Sequence, residues 1–162
     1  MFYKAPRIGK NSKKILMLKF RSMIVGNKDI RNADGSTYNS ANDPRVTRIG
    51  RIIRKTSIDE LPQLFNVVKG EMSLIGPRAS TWDVLGTYKD DEVSKMKVRP
   101  GITGYTQAYY RNSISAREKR LYDAWYANNI SFKLDLKIFF KTIVTVFKKR
   151  NVYTNQEDNE SK

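Results

Sequence analysis

Asp59 and Glu60 are adjacent carboxylates in the stretch Ser57-Ile58-Asp59-Glu60-Leu61-Pro62-Gln63-Leu64, and cations crowd both sides of them. Arg48, Arg51, Arg54 and Lys55 come just before, and Gly76-Pro77-Arg78 just after. Acids set among cations describe a site for an anion, a hard metal ion, or both. Neighbouring helical residues project about 100° apart, so the two carboxylates are not duplicate ligands. A division of labour is natural, with one attacking and the other holding a metal. An aspartate can attack phosphorus to give an acyl phosphate. Nearby cations would keep it ionised and steady the charge on transferring phosphoryl oxygens. From spacing alone the plainer reading is favoured: Glu60 as a helix cap and Asp59 in a surface salt bridge.

The rest of the inventory narrows the chemistry. The chain has 162 residues, with 31 lysines and arginines against 16 acids, a net charge of +15. That length fits one domain with a real core. The charge favours an anionic partner: nucleic acid, an anionic membrane surface or a phosphorylated substrate. The absence of cysteine excludes disulfides, thiolate metal sites and thiol nucleophiles. The absence of histidine removes the commonest general base and zinc ligand. Carboxylates, Lys, Tyr, Ser and Thr remain, and magnesium is the metal this set suits best. No stretch approaches the roughly 20 apolar residues of a membrane span, and no signal-peptide pattern is visible.

Several elements must position these groups. Ile15 to Met23 reads as a strand or short buried segment, with Lys19 and Arg21 alternating to one face. Residues 29–44 read as a loop. Ile49, Ile52 and Ile53 resume helical spacing. Ser57 with Glu60 three residues on has the capping-box pattern. Leu61, Leu64, Phe65 and Val68 form one apolar face after it, and Gly70 is a stop signal. Pro62 belongs near a helix start, which places both carboxylates in a first turn near the positive end of the dipole. Ser73 to Pro77 reads as a short strand, Trp82 to Val98 as a helix or helix pair, and Arg99-Pro100-Gly101 as a type II turn. Ile102 to Tyr110 reads as extended, and Ser115 to Asn128 and Phe132 to Arg150 as helices. The fold class is α+β and mostly helical, with short strands or a small β-hairpin and amphipathic helices around an active-site cleft.

Lys19, Arg21, Arg54, Arg78 and Arg99 each sit beside a turn or an element end, where arginine suits a bidentate grip on phosphate. For any single one, a solvated basic face is the simpler account. Neither Gly76-Pro77-Arg78 nor Arg99-Pro100-Gly101 has P-loop spacing. Asp135 reads by pattern as an N-terminal cap of the last helix. That helix carries Leu136, Phe139, Phe140, Ile143 and Phe147 on one side and Lys137, Lys141 and Lys148 on another. Its aromatics fit core packing better than membrane anchoring on pattern alone.

Taken in order, Lys19-Phe20-Arg21-Ser22-Met23, Arg54 with Ser57 through Val67, Lys69 through Arg78, Arg99-Pro100-Gly101-Ile102-Thr103-Gly104 and Ser131 through Ile138 resemble the bacterial sugar transferases. These are the small monotopic polyprenyl-phosphate phosphoglycosyl transferases. The resemblance runs from about Phe2 to Arg150, and implies a catalytic domain over 1–150 with a polar tail, predicted to be disordered, over 151–162. It implies transfer of a phosphosugar from a UDP-sugar to polyprenyl (undecaprenyl) phosphate, with release of UMP. That is the initiating step of capsule, exopolysaccharide or glycoconjugate assembly. It further implies Asp59 as nucleophile of a covalent phosphosugar intermediate and Glu60 as a catalytic residue that binds Mg2+. Lys19, Arg54, Arg78, Arg99 and Asp135 match substrate-binding positions. The implied setting is the cytoplasmic leaflet of the inner membrane, peripheral or monotopic, and a homo-oligomer is compatible with it. Family members usually begin with a hydrophobic re-entrant helix, and this sequence starts inside what looks like the end of that region. Ala79 stands where a second proline is common, and Tyr105-Thr106 where Trp or Leu followed by Ala is common.

Two other classes remain open at this level. A basic nucleic-acid-binding module fits the charge and the interspersed tyrosines, though no zinc, RNA-recognition or basic-zipper pattern accompanies them. An inactive, truncated fragment that keeps a partner-binding surface, soluble rather than membrane-attached, is the other. The resemblance favours the enzyme, with no nucleic-acid partner expected.

Overall fold

The computed structural model describes residues 2–28, 30, 38, 40 and 42–147. The expected tail, the end of the last helix and most of the 29–44 loop lie outside the described residues. The chain opens with an antiparallel hairpin, β1 (Phe2–Ile8) and β2 (Lys14–Phe20), in register from Phe2 opposite Phe20 to Ile8 opposite Lys14. Asn11 and Ser12 take left-handed conformations in its connection. Along β2 the inward positions are Ile15 and Met17, both buried, and Lys19 continues that face at the strand's end. The alternation along the strand thus aims Lys19 inward.

Helix α1 (Arg48–Lys55) is capped by Thr47, whose side chain accepts from the Gly50 N–H at 2.9 Å. Ser22 anchors it: the Ser22 carbonyl accepts from the Thr47 N–H at 3.1 Å. A Cβ on Gly50 would lie 2.0 Å from that same carbonyl oxygen, so only glycine lets the helix approach.

The next segment departs from the expected capping box. Ser57 is left-handed and caps nothing; Ile58–Glu60 is a single 3-10 turn, and α2 (Gln63–Val68) begins only after Pro62. Pro62 has no N–H to donate to Ile58, so the helical ladder cannot run through it and restarts beyond. The carboxylates therefore sit in a separate turn ahead of α2. The capping box occurs instead at Ser115 and Glu118, opening α4 (Ala116–Asn128).

Helix α2 is inverted relative to its sequence pattern. Leu61, Leu64, Phe65 and Val68 are exposed, Val68 at 87 %, while Gln63 and Asn66 are buried at 2 % and 1 %. The Asn66 amide explains this. It accepts from the Leu18 N–H (3.0 Å) and donates to the Leu16 carbonyl (2.9 Å) and to Glu71 (2.6 Å). It thereby satisfies the otherwise open edge of β2, a task no apolar side chain can do. Gly70 ends the helix at φ +74, as expected, with its N–H on the Val67 carbonyl.

Strands β3 (Ser73–Ile75) and β4 (Gly101–Thr103) pair in parallel. Gly101 does not occupy the positive-φ position of a type II turn. Its requirement is space: a Cβ there would fall 2.2 Å from the Gly76 nitrogen, and one on Gly104 would fall 2.0 Å from the Gly76 oxygen. The 82–98 region forms two 3-10 segments, Trp82–Thr87 and Val93–Lys97, rather than regular helix. Tyr105–Tyr109 is the short helix α3, where the sequence reads as extended.

Helix α5 (Phe132–Phe147) packs through buried Ile138, with Leu134 against the same cluster. Its aromatic stripe turns outward: Leu136, Phe139, Phe140 and Ile143 are exposed, so these residues are not core, while the Phe147 side chain lies outside the described residues. Two small clusters hold the molecule. Ala5, Ile15, Met17 and Met72 form one; Ala108, Tyr126 and Ile138 form the other. The β3–β4 pair joins them, Ile102 packing on the first and Ile75 on the second. The architecture is the expected mixed α+β fold, mostly helical, with a hairpin.

Replacing Asn66 with Leu removes three hydrogen bonds and strands two backbone groups of β2. The expected cost is about 2–4 kcal/mol, measured by urea unfolding. A variant as stable as wild type would show that the edge of β2 finds other partners.

Candidate active site

Asp59 and Glu60 lie where four separate segments converge. From the end of β2, Lys19 Nζ donates to Glu60 Oε1 at 2.7 Å. From α1, Arg54 is aimed by Ser22, whose hydroxyl accepts from Arg54 Nε at 3.0 Å, and its charge acts on Asp59. From the turn after β3, Arg78 acts on Glu60. Arg111 joins it from the turn after α3. Its φ of 51 is the left-handed conformation that few non-glycine residues adopt, and its N–H donates to the Thr106 carbonyl at 2.8 Å.

The two carboxylates titrate in opposite directions. Asp59 is 7 % exposed. Burial pushes its carboxyl above the ordinary range, and Glu60 adds to that; Lys19 and Arg54 oppose the rise without cancelling it. For Glu60 burial also acts upward, but Lys19, Arg78 and Arg111 outweigh it and hold the carboxyl below its ordinary range. Burial lowers the Arg111 guanidinium, and Glu60 partly restores it.

Lys19, Arg54, Asp59, Glu60 and Arg78 are thus brought together. Arg99 and Asp135 are not among the groups that act most strongly on the two carboxylates. The Arg99 guanidinium lies by Gly70, 3.9 Å from where a Cβ would stand there, past the other end of α2. Asp135 does not cap α5; Ser131 does, its hydroxyl accepting from the Leu134 N–H at 3.3 Å. Asp135 sits inside the first turn and accepts from the buried Tyr126 hydroxyl at 2.6 Å. Burial, and then that bond, raise the phenol's pKa. Arg111 and Ser22 were not singled out by sequence reasoning. Tyr110-Arg111-Asn112 carries no glycine to signal its left-handed turn, and Ser22 looks like any surface serine.

The donor set suits a hard cation, since it offers oxygen alone. Among the described residues no group of three or more acidic, His or Cys side chains could hold a metal ion. Glu60, held in its charged form, is the carboxylate available to one here. Magnesium binds through one or two carboxylates when phosphate oxygens and waters complete its shell.

The model of the bacterial sugar transferase family matches residues 1–149 of this chain. The chain belongs to that family. It is 42 % identical to the UDP-galactose-lipid carrier transferase of Erwinia amylovora, over 93 % of this chain and 34 % of the relative. It is 38 % identical to the undecaprenyl-phosphate galactose phosphotransferase of Salmonella typhimurium, with the same coverage. It is 44 % identical to the uncharacterized sugar transferase EpsL of Bacillus subtilis, over 88 % of this chain and 68 % of that one. The chain spans about a third of the length of the Erwinia and Salmonella relatives.

Asp59 carries a charge that the fold disfavours. Its native pKa lies above the unfolded value, so the native state binds the extra proton and stability falls as pH rises through that window. Asp59→Asn should therefore be more stable than wild type at pH 7, by roughly 0.5–2 kcal/mol. The gain should fade as pH falls through that window and vanish below about pH 3, where both states are protonated. Thermal melts across pH test this; a variant less stable at pH 7 would mean the pairing outweighs the burial.

Proposed function

We propose that this site transfers a phosphosugar from a UDP-sugar to polyprenyl phosphate, releasing UMP, through a covalent intermediate on Asp59. The observation that carries the reading is the buried Asp59 beside a charged Glu60, ringed by Lys19, Arg54, Arg78 and Arg111 from four segments. The family and the lipid-carrier and undecaprenyl-phosphate names of relatives supply the substrate class. A basic surface alone would suit nucleic acid; a carboxylate pair at the centre of the cations suits phosphoryl transfer better.

In the first step an Asp59 carboxylate oxygen attacks the phosphorus that bears the sugar. The Asp59 O–P bond forms, the bond to the bridging oxygen breaks, and UMP leaves with the electron pair. In the second, a phosphate oxygen of the polyprenyl phosphate attacks the same phosphorus. Polyprenyl diphosphate sugar departs and the carboxylate is restored. The leaving groups are a phosphate and then a carboxylate, so neither needs a histidine to protonate it. Lys19, Arg54, Arg78 and Arg111 would offset the charge of the diphosphate. Glu60 would hold magnesium, which when bound polarises phosphoryl oxygens.

The acceptor's lipid fits the outward apolar surface. Phe2 stacks on Phe20 at 5.6 Å between centroids and meets Phe65 edge-on at 6.3 Å, beside exposed Leu61 and Leu64. On α1, Ile49 and Ile52 are exposed between Arg48, Arg51 and Lys55. No helix among the described residues is long and apolar enough to cross a membrane. These features support peripheral attachment to the cytoplasmic leaflet, apolar side chains in the interface and arginines toward anionic headgroups.

A panel of UDP-sugars, offered with undecaprenyl phosphate and magnesium in lipid nanodiscs, should release UMP with at least one donor. Chelation should stop the release, and Asp59→Asn should lower it by about 10³-fold or more, on the scale of losing a nucleophile. Without acceptor, intact mass should show a phosphosugar adduct on wild type and none on the variant. UMP release that survives Asp59→Asn would rule out the covalent step.

A further inference from the structure

Asp123 lies on α4, outside the carboxylate–cation cluster, yet it is 2 % exposed and its carboxylate touches both arms of that cluster. Oδ2 accepts from the Arg78 backbone N–H at 3.3 Å and from Lys95 Nζ at 2.8 Å. Oδ1 accepts from the Thr106 hydroxyl at 3.0 Å. Thr106 in turn offers its carbonyl to the N–H of Arg111 at 2.8 Å and of Tyr110 at 3.0 Å. One buried carboxylate thus fixes the turn that carries Arg78 and the helix whose end carries Arg111. These are two of the cations whose charge acts on Glu60. Lys95, itself only 7 % exposed, is the counterion that lets the carboxylate stay buried, and it also reaches Ser80 at 3.3 Å.

We infer that Asp123 is a positioning residue: it sets the backbone from which Arg78 and Arg111 reach the Glu60 carboxylate and the donor diphosphate. A buried polar group with all its partners in place holds a geometry more tightly than apolar packing does. This arrangement also gives the 76–78 turn and α3 with the turn that follows it a common reference point. The role in donor binding rests on the phosphosugar reading above; the hold on the Arg78 amide does not.

Two replacements separate the account from general destabilisation. Asp123→Asn keeps an oxygen for the Arg78 N–H, and its amide can donate to the Thr106 hydroxyl, which turns to accept. Asp123→Ala removes every partner. Hydrogen exchange at the Arg78 amide should accelerate at least tenfold in D123A and stay close to wild type in D123N. Affinity for UDP-galactose with magnesium, by calorimetry, should fall roughly 10–100-fold in D123A, the scale typical of a lost supporting partner. In D123N it should fall no more than about threefold. In an R78A/R111A background, D123A should cost less than about twofold, because the groups it positions are gone. An unchanged Arg78 amide in D123A, an equal D123A loss in both backgrounds, or a tenfold loss in folded D123N would each overturn the inference. Failure of the wild type to bind UDP-galactose would count against the phosphosugar reading for that donor alone, and the Arg78 amide would still decide the hold exerted by Asp123.

Discussion

Two adjacent carboxylates cannot leave water without cations close by, and that requirement organises this fold. An isolated buried carboxylate costs several kcal/mol, on the order of what holds a whole domain together. Lys19, Arg54, Arg78 and Arg111 provide the compensation, each from a different part of the chain. Lys19 lies one residue before the end of the hairpin, Arg54 one residue before the end of α1, and the tight approach at Gly76 leads into Arg78. Elements from four separate parts of the chain are thereby held to one point. The price is visible in Asp59, whose charge remains undercompensated. Such residual cost is expected where a site is built for chemistry rather than for stability.

Polar side chains, more than apolar ones, set how these elements sit. The two hydrophobic clusters are small, while Asn66, Asp123, Asp43 and Glu92 are almost fully buried. Asn66 makes the contacts of a missing strand and so fixes α2 against β2, which brings Glu60 to Lys19. Ser22 does the same for α1 through its carbonyl, and for Arg54 through its hydroxyl. Asp43 grips Arg45 through both oxygens at the base of α1, and Arg54 adds its charge to Arg45's in lowering the Asp43 carboxyl. Buried polar contacts of this kind are directional, so they specify one arrangement where apolar packing of so few residues would tolerate several.

Local rules made β2, β3, the limits of α4, the stop at Gly70 and the carboxylate pair legible in the sequence. Ser115 and Gly70 marked helix ends that the structure keeps. What failed was inference from amphipathicity. Leu61, Leu64, Phe65 and Val68 have helical spacing and high hydrophobicity, and every pattern rule turns them inward. They face outward because the β2 edge needs hydrogen bonds that Asn66 can make and leucine cannot. The same reversal holds for Phe139 and Phe140 on α5. Gly101 was read for its conformational freedom when its role is to leave room for Gly76. Arg111 and Asp123 were invisible for a different reason: their importance lies in contacts across tens of residues, and no local signal encodes those.

The opposite displacement of the two carboxyl groups gives the adjacent pair a physical logic. Groups pushed apart in pKa by their surroundings are suited to different tasks. Glu60 is locked in its charged form by three cations, which suits a residue that must hold counter-charge, a metal ion included, through every stage of a reaction. Asp59 is also buried but has weaker compensation, so its carboxylate is less stabilised and correspondingly more ready to share electrons with phosphorus. The 3-10 turn ahead of Pro62 is what separates them: adjacent residues on that tight turn project in different directions, and Glu60 is the one that takes the Lys19 ammonium in a hydrogen bond, at 2.7 Å. In the proposed exchange the same Asp59 must serve a nucleotide donor and then a lipid acceptor. A nucleophile that is poorly solvated before either arrives asks least of each.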